Sequence, residues 1–434
     1  MILSIEPAAR IQGDLTVPSD KSLSHRATLL GALATGVTRV GNFLWSADCL
    51  ATVRCLRGLG IRIEQEPCGD LLVHGRGLRG FAAPDSTLDC GGSGTTMRLL
   101  SGILAGQLFT SALTGSEALR RRPMDRVIEP LRRMGADIHG REDRFPPLQI
   151  RGGNLHGVAY RLPMASAQVK SAILLAALYA DSPTVVIEPA PTRDHTERMV
   201  SALGIAVAVN GVEITLDPKE VLQTALPPMN VLVPGDLSSA AFFLVAACLL
   251  PGSELWLRDV GVNPTRTGLI DVLRQMGADI GLAKEHLVSG EPVADIYVRA
   301  SDLRGVEIGG ETVPRMIDEF PILAVAATQA DGTTVVRDAA ELRVKESDRI
   351  STLAAELRRM GARIEEQPDG FVIEGPTRLC GAEVEAHHDH RLAMSLAVAG
   401  LLAEGQTRIS GAECIADSFP DFELTLSRIT QRRS

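Results

Sequence analysis

The sequence predicts an α/β protein of two domains, each made from three copies of one small α/β unit. Two repeated patterns and the chain length point to this. A helix-ending signature recurs as LRGLGIRI near Gly60, LRRMGADI near Gly135, VSALGIAV near Gly204, LRQMGADI near Gly277 and LRRMGARI near Gly361, at intervals of 75, 69, 73 and 84 residues. Each reads as an amphipathic helix closed by a glycine C-cap and followed by a β-rich stretch. The second pattern is a polar opener, an Ala-rich apolar helix, a small turn and a strand. Its six copies are DKSLSHRATLLGALATGVTRV, SGTTMRLLSGILAGQLFTSAL, SAQVKSAILLAALYADSPTVVIE, DLSSAAFFLVAACLLPGSELWLR, DEFPILAVAATQADGTTVVR and DHRLAMSLAVAGLLAEGQTRIS. The 434 residues exceed one ordinary core and suit two domains of about 200 residues each.

The Ala-rich helices are apolar nearly all round, which implies burial among neighbouring elements. The sixth copy reaches SFPDFELTLSRI and stops before its final strands, so the N-terminal segment is the candidate to complete it. VLVPGDLSS at Pro234 and Gly235 is the expected hinge, and VPSD at Pro18 the second crossing. One domain then spans residues 19–233, and the other combines 1–18 with 234–434. The openers set polar residues at six helix N-termini, where unpaired N–H groups and the helix dipole favour anions. A symmetric arrangement of the units would gather those termini in one interdomain cleft, suited to a polyanionic substrate.

Composition narrows the partners. With 45% hydrophobic and 22% charged residues the chain is ordinary globular material rather than disordered. A net charge of -9 and only 3% aromatic residues argue against nucleic-acid or acidic-membrane binding. The seven cysteines are scattered, odd in number and without a CxxC pair, so neither a disulfide framework nor structural zinc is expected. The start, MILSIEPAARIQGDLTVPSD, lacks the basic and apolar regions of a signal peptide, and the most apolar run, 240–250, is too short to span a bilayer. A cytoplasmic location is the expectation.

Local motifs supply the chemistry. Pro18-Ser19-Asp20-Lys21-Ser22-Leu23-Ser24-His25-Arg26 puts a cation, hydroxyls and an arginine at a helix start. Either Asp20 or Ser19 caps the helix and Lys21 is solvated, or the cation answers a bound anion. Asp89-Cys90-Gly91-Gly92-Ser93-Gly94-Thr95-Thr96-Met97-Arg98 is a Gly-rich loop entering a helix, either a capped turn or an anion cradle. It is neither a Walker A loop nor a dinucleotide fingerprint. Arg120-Arg121-Arg122-Pro123-Met124 is a solvated charge run or a set of carboxylate and phosphate ligands. Ser166-Ala167-Gln168-Val169-Lys170 opens the third apolar helix without a GxSxG elbow, and Arg193-Asp194-His195-Thr196 follows its strand. Asp318 and Glu319 stand together at a helix start, where either can cap. Arg343-Val344-Lys345-Glu346-Ser347-Asp348-Arg349 alternates sign, and on a helix would set Lys345 and Arg349 one turn apart with Glu346 beside them. His387-His388-Asp389-His390-Arg391 lacks metal-ligand spacing; His390 and Arg391 fit anion contact or proton transfer better.

Taken in order, DKSLSHR, GGSGTTMR, RRRPM, SAQVKSA, RDHTE, PGDLSSA, IDEFP, RVKESDR, DHRLAMS and SFPDF resemble the enolpyruvyl transferase family over nearly the whole chain. SAQVKSA, RDHTE and IDEFP are closer to its bacterial class II branch acting on shikimate 3-phosphate. The resemblance implies a two-domain inside-out α/β barrel, each domain of three βαβαββ units, with the active site in the interdomain cleft and no metal or cofactor. It assigns Lys21, Ser22, Arg26, Ser166, Ala167, Gln168, Arg193, Asp318 and Lys345 to shikimate 3-phosphate. It assigns Lys21, Gly94, Arg122, Gln168, Arg349 and Arg391 to phosphoenolpyruvate. Two departures stand out: Gly92 replaces a frequent Asn, and Asp417 takes the place of a Lys found in class I members. A monomer is the family's usual state.

The reaction implied is addition then elimination: the 5-hydroxyl attacks C2 of phosphoenolpyruvate, C3 is protonated, and the tetrahedral intermediate expels phosphate. Asp318 is the expected base and Glu346 or Lys21 the C3 acid, with Lys345 and His390 as secondary candidates. The nearest competing reading is the sister enzyme that uses UDP-N-acetylglucosamine. It carries Lys-Asn where this chain has Lys21-Ser22, and a Cys-containing loop where this chain has GSEALRRRPM. A non-catalytic anion-binding protein on the same fold is the other.

Overall fold

The computed structural model describes residues 1–219 and 224–432. The chain divides into two compact units: Ser19–Val233 with Leu287–Glu291, and Met1–Pro18 with Pro234–His286 and Pro292–Ser434. Each has its own continuous apolar core.

One repeat shows how the sequence patterns become structure. The strand Leu88–Asp89 leads into the apolar helix Gly94–Ala105 and returns as Thr110–Thr114, parallel to the first strand. The amphipathic helix Asp125–Arg133 follows, and then the hairpin Asp137–Arg141 and Phe145–Arg151, whose second strand pairs antiparallel with Thr110–Thr114. This is a βαβαββ unit. The same strand order recurs from Ala159–Arg161 to Glu213–Leu216 and from Glu307–Ile308 to Gly370–Gly375.

Other repeats borrow a strand from distant sequence. Asn230–Leu232 runs parallel to Thr35–Gly41, and Ala8–Thr16 runs parallel to Glu254–Gly261. In the sixth, Ile2–Ile5 pairs antiparallel with Thr407–Ser410, so the N-terminal segment supplies one strand to the copy that the C-terminal sequence leaves short, in a sheet of three strands among the described residues.

The apolar helices lie inside each unit and the sheets outside, which makes each an inside-out α/β barrel. Every residue from Leu237 to Cys248 in the helix Leu237–Leu249 is buried. Strands instead alternate: in Phe145–Arg151, Leu148 and Ile150 are buried while Gln149 and Arg151 are exposed. Close helix packing demands small residues. A Cβ on Gly102 would collide with the backbone carbonyl of Ala172 in the helix Ala167–Ala177. All five signature glycines adopt the left-handed conformation, with φ of +81° at Gly60, +102° at Gly135, +84° at Gly204, +106° at Gly277 and +93° at Gly361. No helix among the described residues is long and apolar enough to cross a membrane.

Candidate functional site

The six apolar helices begin without an acidic residue in their first turn. Several amphipathic helices do carry one there, such as Asp48, Asp125 and Asp271. Five of the six apolar helices are instead capped from the residue before: Asp20, Ser93, Ser166, Asp236 and Asp389 each accept a backbone N–H of the first turn. The sixth, Phe320–Gln329, follows Glu319, whose carboxylate makes no cap bond and accepts the Ser238 hydroxyl instead. Of the two carboxylates that could cap there, Glu319 stands at the cap position and makes no cap bond.

In the Ser19–Val233 unit the openers are cross-tied. Lys21 begins the helix Lys21–Leu33, and its Nζ lies 3.1 Å from Asp48 Oδ2, both side chains about 15% exposed. It is therefore not a solvated surface lysine. Arg26, on the same helix, is buried and donates to Thr196 Oγ1 at 2.7 Å, Ser171 Oγ at 2.7 Å and the Ser22 carbonyl at 3.0 Å. Burial lowers its pKa to about 10, and the nearby carboxylates of Glu197 and Asp20 resist that. The bonds to Ser171 and Thr196 bring Arg26 beside the helix headed by Ser166, Ala167 and Gln168 and beside the helix His195–Ala202 that follows Arg193.

Gly94, Arg122 and Gln168 meet through a residue the motif analysis did not select. Arg98 donates to Gln168 Oε1, Gln168 Nε2 donates to Thr95 Oγ1 at 2.9 Å, and a Cβ on Gly94 would lie 3.0 Å from Arg98 Nη1 and 3.1 Å from Arg122 Nη1. Glycine thus leaves two guanidinium groups against a helix N-terminus. Arg98 stands one helical turn past Gly94, and that spacing was the available signal. The tri-arginine run splits: Arg120 and Arg121 are exposed, and only Arg122 turns inward. Beneath this lies a chain of hydroxyls from His25 Nδ1 to Thr52 Oγ1, Thr96 Oγ1 and Ser93 Oγ, with steps of 2.7, 2.7 and 2.8 Å. Burial holds His25 neutral, its pKa lowered to about 3.

In the other unit the candidates gather around Asp318. Its carboxylate has Arg349 Nη1 at 3.3 Å, Lys345 Nζ at 3.7 Å and Arg391 Nη2 at 3.7 Å. Lys345 and Arg349 do converge, but not by helical spacing. Lys345 follows the 3-10 turn Ala340–Val344, and the helix Arg349–Arg359 starts only after the Asp348 cap. Arg349 is 1% exposed, with Nη2 2.7 Å from Glu346 Oε2 and Nε 2.7 Å from Asp389 Oδ2. Burial opposes its charge, but Asp389, Glu346 and Asp318 outweigh burial and raise its pKa. Asp389, fully buried, is held below the usual carboxylate range by Arg349 despite its own desolvation. Sequence reasoning had passed over Asp389 as one letter of a histidine-rich run. His387 in that run turns to Glu356 at 2.8 Å, while His390 is buried at the start of the helix His390–Leu402. Gly92 is exposed in its loop, and Asp417 ends the 3-10 turn Ala412–Asp417.

The arrangement offers clustered cations, helix N-termini and a carboxylate among them, a set that fits small, multiply anionic substrates. Comparisons with known proteins agree. Residues 5–426 match the family model EPSP synthase (3-phosphoshikimate 1-carboxyvinyltransferase). A 3-phosphoshikimate 1-carboxyvinyltransferase of Thermoanaerobacter sp. (strain X514) is 51% identical over 99% of this chain and 100% of the relative. One from Desulforudis audaxviator is 54% identical over 99% of both chains. The solved EPSP synthase from Acinetobacter baumannii superposes with a TM-score of 0.87 at 47% identity, covering 99% of this chain and 98% of that one. The enolpyruvyl transferase NikO of Streptomyces tendae, at 17% identity and a TM-score of 0.78, shares the fold. With its repeats, its strand order and its motifs in one sequence, the chain belongs to the EPSP synthase family.

Proposed function

We propose that this chain transfers the enolpyruvyl group of phosphoenolpyruvate to the 5-hydroxyl of shikimate 3-phosphate, releasing phosphate. The observation that carries the reading is the Asp318 carboxylate with Lys345, Arg349 and Arg391 around it. Asp318 takes the proton of the attacking hydroxyl. Arg349 and Arg391 bind phosphoenolpyruvate, so the arriving anion draws their charge away from Asp318 and leaves it a better base. Glu346, joined to the same cluster through Arg349, is the preferred donor to C3, with Lys21 as the second candidate. Lys345 and His390 are kept in supporting roles in proton transfer.

Lys21, Ser22, Arg26, Ser166, Ala167, Gln168 and Arg193 join Asp318 and Lys345 on shikimate 3-phosphate. Lys21, Gly94, Arg122 and Gln168 join the two arginines on phosphoenolpyruvate. Pre-formed charge of this kind stabilises the carboxylate and phosphate groups of the tetrahedral intermediate, and the phosphate that leaves it, without reorganisation. Acting as a cytoplasmic monomer is part of the proposal, and seven free cysteines support a reducing compartment.

Phosphate release separates the readings. Release from phosphoenolpyruvate with shikimate 3-phosphate, and none with UDP-N-acetylglucosamine, supports this one. Release only with the nucleotide sugar, or binding of both substrates without release, would overturn it.

A further inference from the structure

We infer that Lys170 is the positioning residue of the shikimate 3-phosphate half of the site, fixing the loop that carries Arg193 against the helix headed by Ser166. The inference rests on the reading above. Lys170 is 1% exposed and lies on the helix Ala167–Ala177, one turn inside the residues assigned to substrate. Its Nζ is 2.9 Å from Glu188 Oε2 and 2.6 Å from Glu197 Oε1, and it donates to the Thr192 carbonyl at 3.3 Å. Glu188 in turn accepts both the Thr192 hydroxyl and the Thr192 N–H. One ammonium therefore grips the start, the middle and the end of the segment 188–197.

That segment needs such a grip. Between the strand Thr184–Ile187 and the helix His195–Ala202 it has no regular structure, and Pro189 and Pro191 give it no backbone donors. Thr192, which carries the bonds, immediately precedes Arg193. The knot also reaches Arg26. That guanidinium donates to two hydroxyls and one carbonyl, all neutral oxygens. Two carboxylates share the one ammonium; burial raises the pKa of Glu197, and Glu197 in its ionised form helps keep Arg26 protonated in spite of burial.

Removing Lys170 strands two buried carboxylates, which also threatens folding. The test therefore uses two variants, Lys170→Met and Lys170→Met/Glu197→Gln, the second relieving the stranded charge. Wild-type turnover with both substrates is the control; without it the reading of function fails, and this inference with it. Expected for Lys170→Met is a KM for shikimate 3-phosphate raised about tenfold or more, with the KM for phosphoenolpyruvate and kcat within about threefold. The double variant should regain thermal stability yet keep the raised KM. A wild-type KM for shikimate 3-phosphate in either variant that folds overturns the inference. So does an equal rise in both KM values, which would mark a general loosening.

Discussion

Asp318 is placed by three cations from two later stretches of chain: Lys345 and Arg349, beyond a helix, a strand and a turn, and Arg391 from the next repeat. If it performs the proton transfer, Asp318→Asn lowers kcat about 100-fold or more while the protein still folds, measured by steady-state phosphate release. Near-normal turnover in that variant would remove Asp318 from the chemistry. His25 gives a prediction in pH. Its folded pKa of about 3 lies below the ordinary histidine value of 6.5, so the unfolded chain binds the proton first. Its contribution to stability is full above about pH 6.5 and is lost as pH falls toward 3, by about 1.4 kcal/mol per unit. Denaturant unfolding should show a shallower acid slope for His25→Asn; an unchanged slope contradicts a buried neutral imidazole. At this scale the local patterns left each motif open between a cap, a solvated charge and an anion ligand. Arg26, Gly94, Arg122 and Gln168 were named through the family resemblance of their motifs. Asp48 and Asp389 could not be, because each is placed by a partner far along the chain, and for Arg98 the one signal was its spacing from Gly94.

Elements were more legible than residues. The five signature glycines end their helices at positive φ, a backbone state that local sequence dictates. The apolar helices are buried on nearly all faces, as their composition requires. Helical spacing misled in one place, at Lys345 and Arg349, because Asp348 starts a new helix rather than continuing one. Packing between apolar helices sets its own test. Gly102→Ala drives a methyl into the Ala172 carbonyl, and backbone cannot swing aside as a side chain can. The variant should lose about 1–3 kcal/mol in urea unfolding. A neutral result would mean that these two helices part easily.

The whole molecule is one unit repeated six times, with strands Ile2–Ile5, Ala8–Thr16 and Asn230–Leu232 exchanged between distant stretches of chain. The repeat was visible in sequence because each copy must bury an Ala-rich helix and stop it with glycine. Which strand pairs with which was mostly not, since pairing is decided by tertiary packing; the N-terminal completion was inferred from a shortage at the other end. A multiply anionic substrate pair suits such a molecule despite its net charge of -9, because cations are concentrated at the openers. The central claim is addition of the hydroxyl at C2 of phosphoenolpyruvate with protonation of C3, followed by loss of phosphate from C2 and of a proton from C3, and mass spectrometry of the product formed in D2O tests it most directly. Protonation of C3 by a solvent-exchanged acid makes a methyl group that then loses one hydrogen, so the account predicts a product heavier than shikimate 3-phosphate by the enolpyruvyl group and carrying deuterium at its vinyl carbon. A product formed without deuterium there, or no product from the two substrates, would contradict it.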